Sequence, residues 1–229
     1  MGIKEDLISE VKKIFKSKWE ERDGDIVPGN EDLKLGNDAV RLNGTVLYAD
    51  LSSSTKLVDN YKSWFAAEIY KTYLYSAAKI IRKMEGEITA FDGDRIMAVF
   101  IGNFKNTNAA KSSLHINYLI NEIINPLIKE YYPKDNYEVK QTVGIDTSEL
   151  FIARTGIRGN NDLVWVGRAA NYAAKLTSLS PQYPSRITKE VYERLNDSVK
   201  FTNGQAMWEK AHWTDMNIDI YRSTWQWEP

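Results

Sequence analysis

The chain has 229 residues, 43% of them apolar, enough for one compact core with a short additional piece. Its 30 basic and 31 acidic side chains leave a net charge of −1, without the basic surface of a dedicated nucleic-acid binder. There is no cysteine, which excludes disulfides, thiolate metal sites and cysteine nucleophiles. With no apolar run of about 20 residues and no signal-peptide core, a cytoplasmic protein without a membrane span is expected.

Residues 3–19 place Ile3, Leu7, Ile8, Val11, Ile14, Phe15 and Trp19 at helical spacing. They predict an amphipathic helix that packs on its own domain, with pairing to a second copy as the alternative. Residues 21–43 are polar, with Pro28 and several glycines, and read as a linker or an irregular wrap. The expected division is therefore 1–40, helix and linker, and 41–229, the main domain. Residues 45–51 predict a strand ending in the polar turn Ser52, Ser53, Ser54, Thr55. Over 61–84, Phe65, Ile69, Tyr73, Ala77, Ile80 and Met84 recur at steps of three and four, and Glu85 and Gly86 stop this helix. Residues 87–91 and 95–101 predict strands joined by the tight turn Asp92, Gly93, Asp94. A helix over 107–131 follows, then a second hairpin of 139–146 and 149–154 and a short strand at 163–166. Helices at 168–179 and 188–195 precede a last strand at 218–224, in a tail rich in tryptophan (Trp208, Trp213, Trp225, Trp227). The order β-α-β-β-α-β predicts an α+β fold with a ferredoxin-like core, helices lying on one face of an antiparallel sheet.

In that topology the strand carrying Asp50 and the hairpin carrying Asp94 are neighbours, so both carboxylates can reach one point. Either aspartate alone is ordinarily a cap or turn residue. Together they supply what a Mg²⁺ site needs when waters and substrate phosphates complete the octahedron. Two ions at such a site activate an attacking oxygen and stabilise a leaving one. The small residues Ser52, Ser53, Ser54 and Thr55, with free backbone N–H groups, suit phosphate oxygens. His115 and His212 have no partners at ligand spacing and read as structural.

Three segments carry a resemblance. Residues 44–55, GTVLYADLSSST, resemble the first motif of the class III nucleotidyl cyclases, a strand with an aspartate followed by a turn ending in threonine. Residues 90–98, AFDGDRIMA, are similar to the family's hairpin, where Gly-Asp precedes an apolar strand. Residues 164–176, VWVGRAANYAAKL, resemble its third motif of Gly, Asn and a basic residue one helical turn later. The resemblance implies that Asp50 and Asp94, with the Leu51 carbonyl, hold two divalent ions, Mg²⁺ or Mn²⁺. It implies that Asn171 positions the ribose, that Lys175 neutralises the triphosphate where the family carries arginine, and that Arg158 is a second phosphate ligand. The implied reaction is in-line attack of the ribose 3′-oxygen on the α-phosphorus with loss of pyrophosphate, without a protein nucleophile. The family builds each site across a dimer interface, so a homodimer with two equivalent sites is implied.

Purine-specific members read the base with a polar pair. Here those positions are Ala90 and Val164 or its neighbour Trp165, and neither Ala nor Val can hydrogen-bond through its side chain. Tyr48, Phe91 and Trp165 can line a smaller pocket, with core packing the alternative for Phe91 and Trp165. This pattern resembles the stand-alone pyrimidine cyclases of Pycsar antiphage defence. It implies cyclic UMP or cyclic CMP, UTP favoured over CTP, acting on a separate cyclic-nucleotide effector. The competing readings are an adenylate or guanylate cyclase with an atypical base pocket, a non-catalytic nucleotide-sensing module, and a palm-type polymerase or a diguanylate cyclase, the last of which expects a GGDEF-like tip that the hairpin lacks.

Overall fold

The computed structural model describes residues 2–229. In chain order its elements are α1 (Ile3–Lys16), β1 (Glu20–Asp23), β2 (Asp38–Leu51), α2 (Ser54–Asn60), α3 (Ser63–Lys83), β3 (Glu87–Asp92), β4 (Arg95–Phe100) and α4 (Lys105–Tyr118). A π-helical stretch, Leu119–Ile124, leads into α5 (Asn125–Tyr131). Then come β5 (Gln141–Ile157), β6 (Asn160–Val166), α6 (Arg168–Thr177), β7 (Ser185–Thr188), α7 (Lys189–Glu193), α8 (Asp197–Lys200), β8 (Phe201–Thr202), β9 (Gln205–Ala206), β10 (Glu209–Trp213) and β11 (Ile218–Ser223). The chain forms two compact units, residues up to Asn43 with Glu149–Gly167, and Gly44–Ser148 with Arg168–Pro229. No helix among the described residues is long and apolar enough to cross a membrane.

The larger unit is built on a sheet of order β10-β11-β7-β5-β2-β4-β3. The four strands at one end, β5-β2-β4-β3, have the ferredoxin-like order predicted from the sequence. The β2–β4 and β3–β4 pairs are antiparallel, and β5–β7 is parallel. Helix α3 forms because its apolar side chains fall on one stripe, and that stripe is the buried face: Phe65, Ile69, Tyr73, Ala77 and Ile80. They pack with Leu47, Ala49, Ile96, Phe100, Leu114 and Ile145 in one core. On the opposite face of β5 the backbone of α6 comes so close that a Cβ at Gly144 would lie 2.2 Å from the Ala173 carbonyl oxygen. Leu176 joins Trp213 and Ile220 in a second cluster there.

Three expectations change in this unit and in β5. The segments 139–146 and 149–154 are not a hairpin but parts of one strand, β5. Its polar residue Thr147, which reads as a turn, is buried, and its hydroxyl is satisfied by Thr45 at 3.1 Å and the Gly44 carbonyl at 3.2 Å. The true hairpin is β5–β6. The turn after Asp50 is shorter than 52–55, because α2 already begins at Ser54. The tail is more than a last strand: β10 pairs β11, and β8 pairs β9. Its end packs on α4, where the Trp227 amide donates to the Leu114 carbonyl at 3.2 Å.

In the smaller unit, residues 21–43 are a wrap held in place, not a linker. β1 pairs in parallel with the start of β2, and Leu33 is buried. Charged groups stitch the segment. Asp38 accepts from Arg22 at 2.6 Å and from the Lys34 amide at 2.7 Å, and Arg41 bridges Glu21 and Glu149. The expected packing of α1 is not found: none of its residues is buried, and Leu7, Val11, Ile14 and Phe15 are exposed.

Candidate active site

Strand β2 alternates at its end. Leu47, Ala49 and Leu51 are buried in the core, so Tyr48 and Asp50 project on the other face, both half-buried. The antiparallel register sets Arg95 opposite Asp50, and Asp94, directly before Arg95, stands at the turn that Gly93 closes with φ +60°. The hairpin thus delivers a second carboxylate beside the first, as its Asp-Gly turn predicts. Arg95 Nη2 donates to Asp50 Oδ2 at 2.9 Å, and its guanidinium lies 5.9 Å from the Tyr48 ring centre. Thr177 Oγ1, from the end of α6, reaches the same oxygen at 3.5 Å.

Burial raises the Asp50 pKa, and the Asp94 charge adds to the rise, while Arg95 and Thr177 oppose it. Asp94 Oδ2 is buried without a hydrogen-bond partner, and so is the Tyr73 hydroxyl. Burial, and then the charges of Asp50 and Asp94, push the Tyr73 phenol well above its ordinary range. This is a pocket of negative charge with one arginine against it. A divalent cation needs such anionic oxygens, and the free Asp94 oxygen is available to one. Among the described residues no group of three or more acidic or histidine side chains could hold a metal. Two carboxylates and a main-chain carbonyl, such as that of Leu51, suit an ion whose shell is completed by water and substrate phosphates. The residues present therefore fit a divalent cation.

The phosphate turn differs in detail from expectation. Ser52 N–H is not free but donates to the Lys140 carbonyl at 2.8 Å, and Ser53 takes a left-handed conformation, φ +63°, ahead of α2. Ala90 sits at a register shift of β3 opposite Met97, and Phe91 beside it is 57% exposed, so it is no core residue. Asn171 and Lys175 are exposed on α6, and Lys175 Nζ lies 3.7 Å from Met216 Sδ. Val164 and Trp165 on β6, and Arg158 in the turn before it, belong to the smaller unit. Val164 is exposed and pairs with Ala153, Trp165 is half-buried and pairs with Ile152, and Arg158 is exposed.

One turn of helix geometry decides what a single chain assembles. Each helical residue advances about 100°, so Lys175 points about 160° from Thr177 and Asn171 about 120° from it. Thr177 is the residue that faces Asp50. Asn171 and Lys175, close to one another on the helix face, therefore turn away from the carboxylates of their own chain. Sequence reasoning missed Arg95 and Thr177. The hairpin register contains the signal for Arg95; nothing local marks Thr177.

No protein-family model matches the chain. It is 52% identical to a uridylate cyclase of Xanthomonas perforans over 229 residues, 99% of each chain. It is equally 52% identical to a uridylate cyclase of Burkholderia cepacia, again over 99% of each. Among solved structures, the adenylyl cyclase CyaB from P. aeruginosa superposes with a TM-score of 0.66 at 19% identity, covering 81% of this chain and 95% of that one. The chain belongs to the uridylate cyclases, nucleotidyl cyclases built on the class III cyclase fold.

Proposed function

We propose that the protein converts UTP to 3′,5′-cyclic UMP and pyrophosphate at a site formed by two copies of the chain. The observation that carries the chemistry is the pairing of Asp50 with Asp94, one oxygen of which is buried and unpartnered. The full-length likeness to uridylate cyclases supports the base. Asp50, Asp94 and the Leu51 carbonyl hold two divalent ions, Mg²⁺ or Mn²⁺. Bound there, the ions make the ribose 3′-hydroxyl more acidic and offset charge on the phosphates. The 3′-oxygen attacks the α-phosphorus in line, the bond to pyrophosphate breaks, and the hydroxyl proton passes to solvent. The amides of Ser53, Ser54 and Thr55 bind phosphate oxygens, with the Ser52 side chain holding the turn. Lys175 and Arg158 stabilise the charge that grows on the leaving pyrophosphate, and Asn171 orients the ribose.

Specificity follows from what surrounds the base. Ala90 and Val164 offer no side-chain hydrogen bonds to a purine. Tyr48, whose ring centre lies 5.9 Å from the Arg95 guanidinium, and the exposed ring of Phe91 are the larger unit's side chains that face a pyrimidine in this reading. The outward turn of Asn171 and Lys175 supports a homodimer in which each site takes carboxylates from one chain and the amide and ammonium from the other. The exposed apolar stripe of α1 gives a second copy further surface to cover. The product acts in the cytoplasm as a messenger on a separate effector, as the resemblance to the antiphage pyrimidine cyclases implies. Incubation with each labelled NTP and Mn²⁺, followed by product chromatography, tests the reading: cyclic UMP is expected to dominate, and equal or better turnover of ATP overturns it.

A further inference from the structure

Away from the paired aspartates, the larger unit holds a cavity of about 540 Å³, within the range of roughly 300–1,000 Å³ found for small-molecule sites. Gln141, Ile120, Asn121, Val139, Pro181 and Pro184 are among its lining residues. Two features set it apart. Gln141 is 2% exposed, yet both its amide nitrogen and its amide oxygen lack any partner. Buried amides are nearly always satisfied, and one with both ends open asks for a ligand that both donates and accepts. Moreover, Ile120 and Asn121 come from the π-helical stretch Leu119–Ile124, an irregularity that concentrates at functional sites.

The direction of Gln141 follows from its strand. Val143 and Ile145, two and four residues on, belong to the core beneath α4, so Gln141 projects to that same side. The asparagine amides nearby are committed: Asn117 Nδ2 donates to the Thr224 and Trp225 carbonyls, and Asn121 Nδ2 to Asn117 and Gln226. Gln182 also lines the cavity but is exposed to water, so Gln141 is the lining amide that is both buried and open.

We propose that this cavity is a second ligand site, taking a flat uncharged heterocycle of the nucleobase type. Such a ring, with N–H and C=O side by side, forms two parallel hydrogen bonds with the Gln141 amide, the geometry by which glutamine reads a base edge. Ile120, Val139 and the two prolines give the ring apolar walls. The site is wired to the phosphate turn. The residues flanking Gln141 both hold Ser52, Lys140 through its carbonyl and Thr142 through its hydroxyl at 3.3 Å. Occupancy at Gln141 and nucleotide binding at the turn therefore share one strand segment, and each ligand changes the other's affinity by the same factor.

Calorimetry on the full chain tests this, using uracil as the probe and 1,3-dimethyluracil, of similar shape but without N–H donors, as the control. Uracil is expected to bind both in the free protein and in the protein saturated with a non-cyclisable UTP analogue, with affinities that differ between the two. Dimethyluracil and the shape-preserving variant Gln141→Met are each expected to weaken binding at least tenfold. Gln141→Met is also expected to melt no lower than the parent, because it removes unsatisfied polar atoms. No binding of uracil, full competition by the UTP analogue, or unchanged binding by Gln141→Met overturns the site. A lower melting temperature for Gln141→Met shows the amide bonded within the protein and overturns it as well. Uracil affinity unaffected by the analogue overturns the linkage.

Discussion

Arg95 is the residue whose role the geometry defines most sharply. It supplies the one positive charge against Asp50, a carboxylate only 16% exposed, while Asp94 adds negative charge beside it. Removing a charged partner from a half-buried carboxylate leaves that group without compensation. Arg95→Met is therefore expected to cost about 1–3 kcal/mol in metal-free protein, some degrees of melting temperature. Millimolar Mn²⁺ is expected to restore most of it, since the cation replaces the lost charge. A thermal melt with and without Mn²⁺ checks this, and a variant as stable as the parent in chelator sinks it. Asp50 and Asp94 were legible in the sequence because a strand end and an Asp-Gly turn mark them locally. Arg95 and Thr177 were not, because their contacts with Asp50 arise from strand register and helix packing across 45 and 127 positions.

At the scale of elements, the seating of α6 on β5 governs Asn171 and Lys175. Gly144→Ala places a methyl carbon against the Ala173 carbonyl, a backbone atom that cannot swing aside. The helix must shift, at about 1–3 kcal/mol, and a displacement of about 1 Å in positioning groups costs up to 100-fold in rate. Turnover at a temperature well below melting is expected to fall at least tenfold, with circular dichroism unchanged; parental turnover would show that α6 need not sit where it does. The tail supplies an element that responds to pH. His115 Nδ1 donates to the Trp227 carbonyl at 3.0 Å, and burial holds the imidazole below its ordinary value of 6.5. The unfolded chain therefore takes the proton first, and stability falls as pH drops below 6.5 towards the folded value. Between about pH 6.5 and 5 the parent is expected to lose melting temperature more steeply than His115→Gln. Matching slopes would remove His115 from the account. Periodicity made α3 and the first hairpin readable, since one face of each is apolar. It failed at β5 and at residues 21–43, where buried Thr147 and Asp38 look like turn or linker residues but are held by hydrogen bonds and an ion pair.

At the scale of the whole molecule, the question is how a chain whose Asn171 and Lys175, proposed to hold the ribose and the phosphates, turn away from its own carboxylates performs cyclisation. If each site combines Asp50 and Asp94 of one copy with Asn171 and Lys175 of the other, two different inactive variants can complement. Asp94→Ala disables the carboxylate half and Asn171→Ala the opposing half, and neither change touches the core: Asp94 lies at a hairpin tip and Asn171 on an exposed helix face. Each variant alone is expected to be nearly inactive. After equal amounts exchange subunits, half of the dimers are mixed, and each mixed dimer has one intact site and one doubly defective site. Activity should then rise to about one quarter of the parental value, set by the two-fold symmetry of an isologous dimer. Cyclic UMP formation against time after mixing measures it, with the slow rise reporting subunit exchange. A mixture no more active than its components would place both halves of the site on one chain, against the outward turn of Asn171 and Lys175.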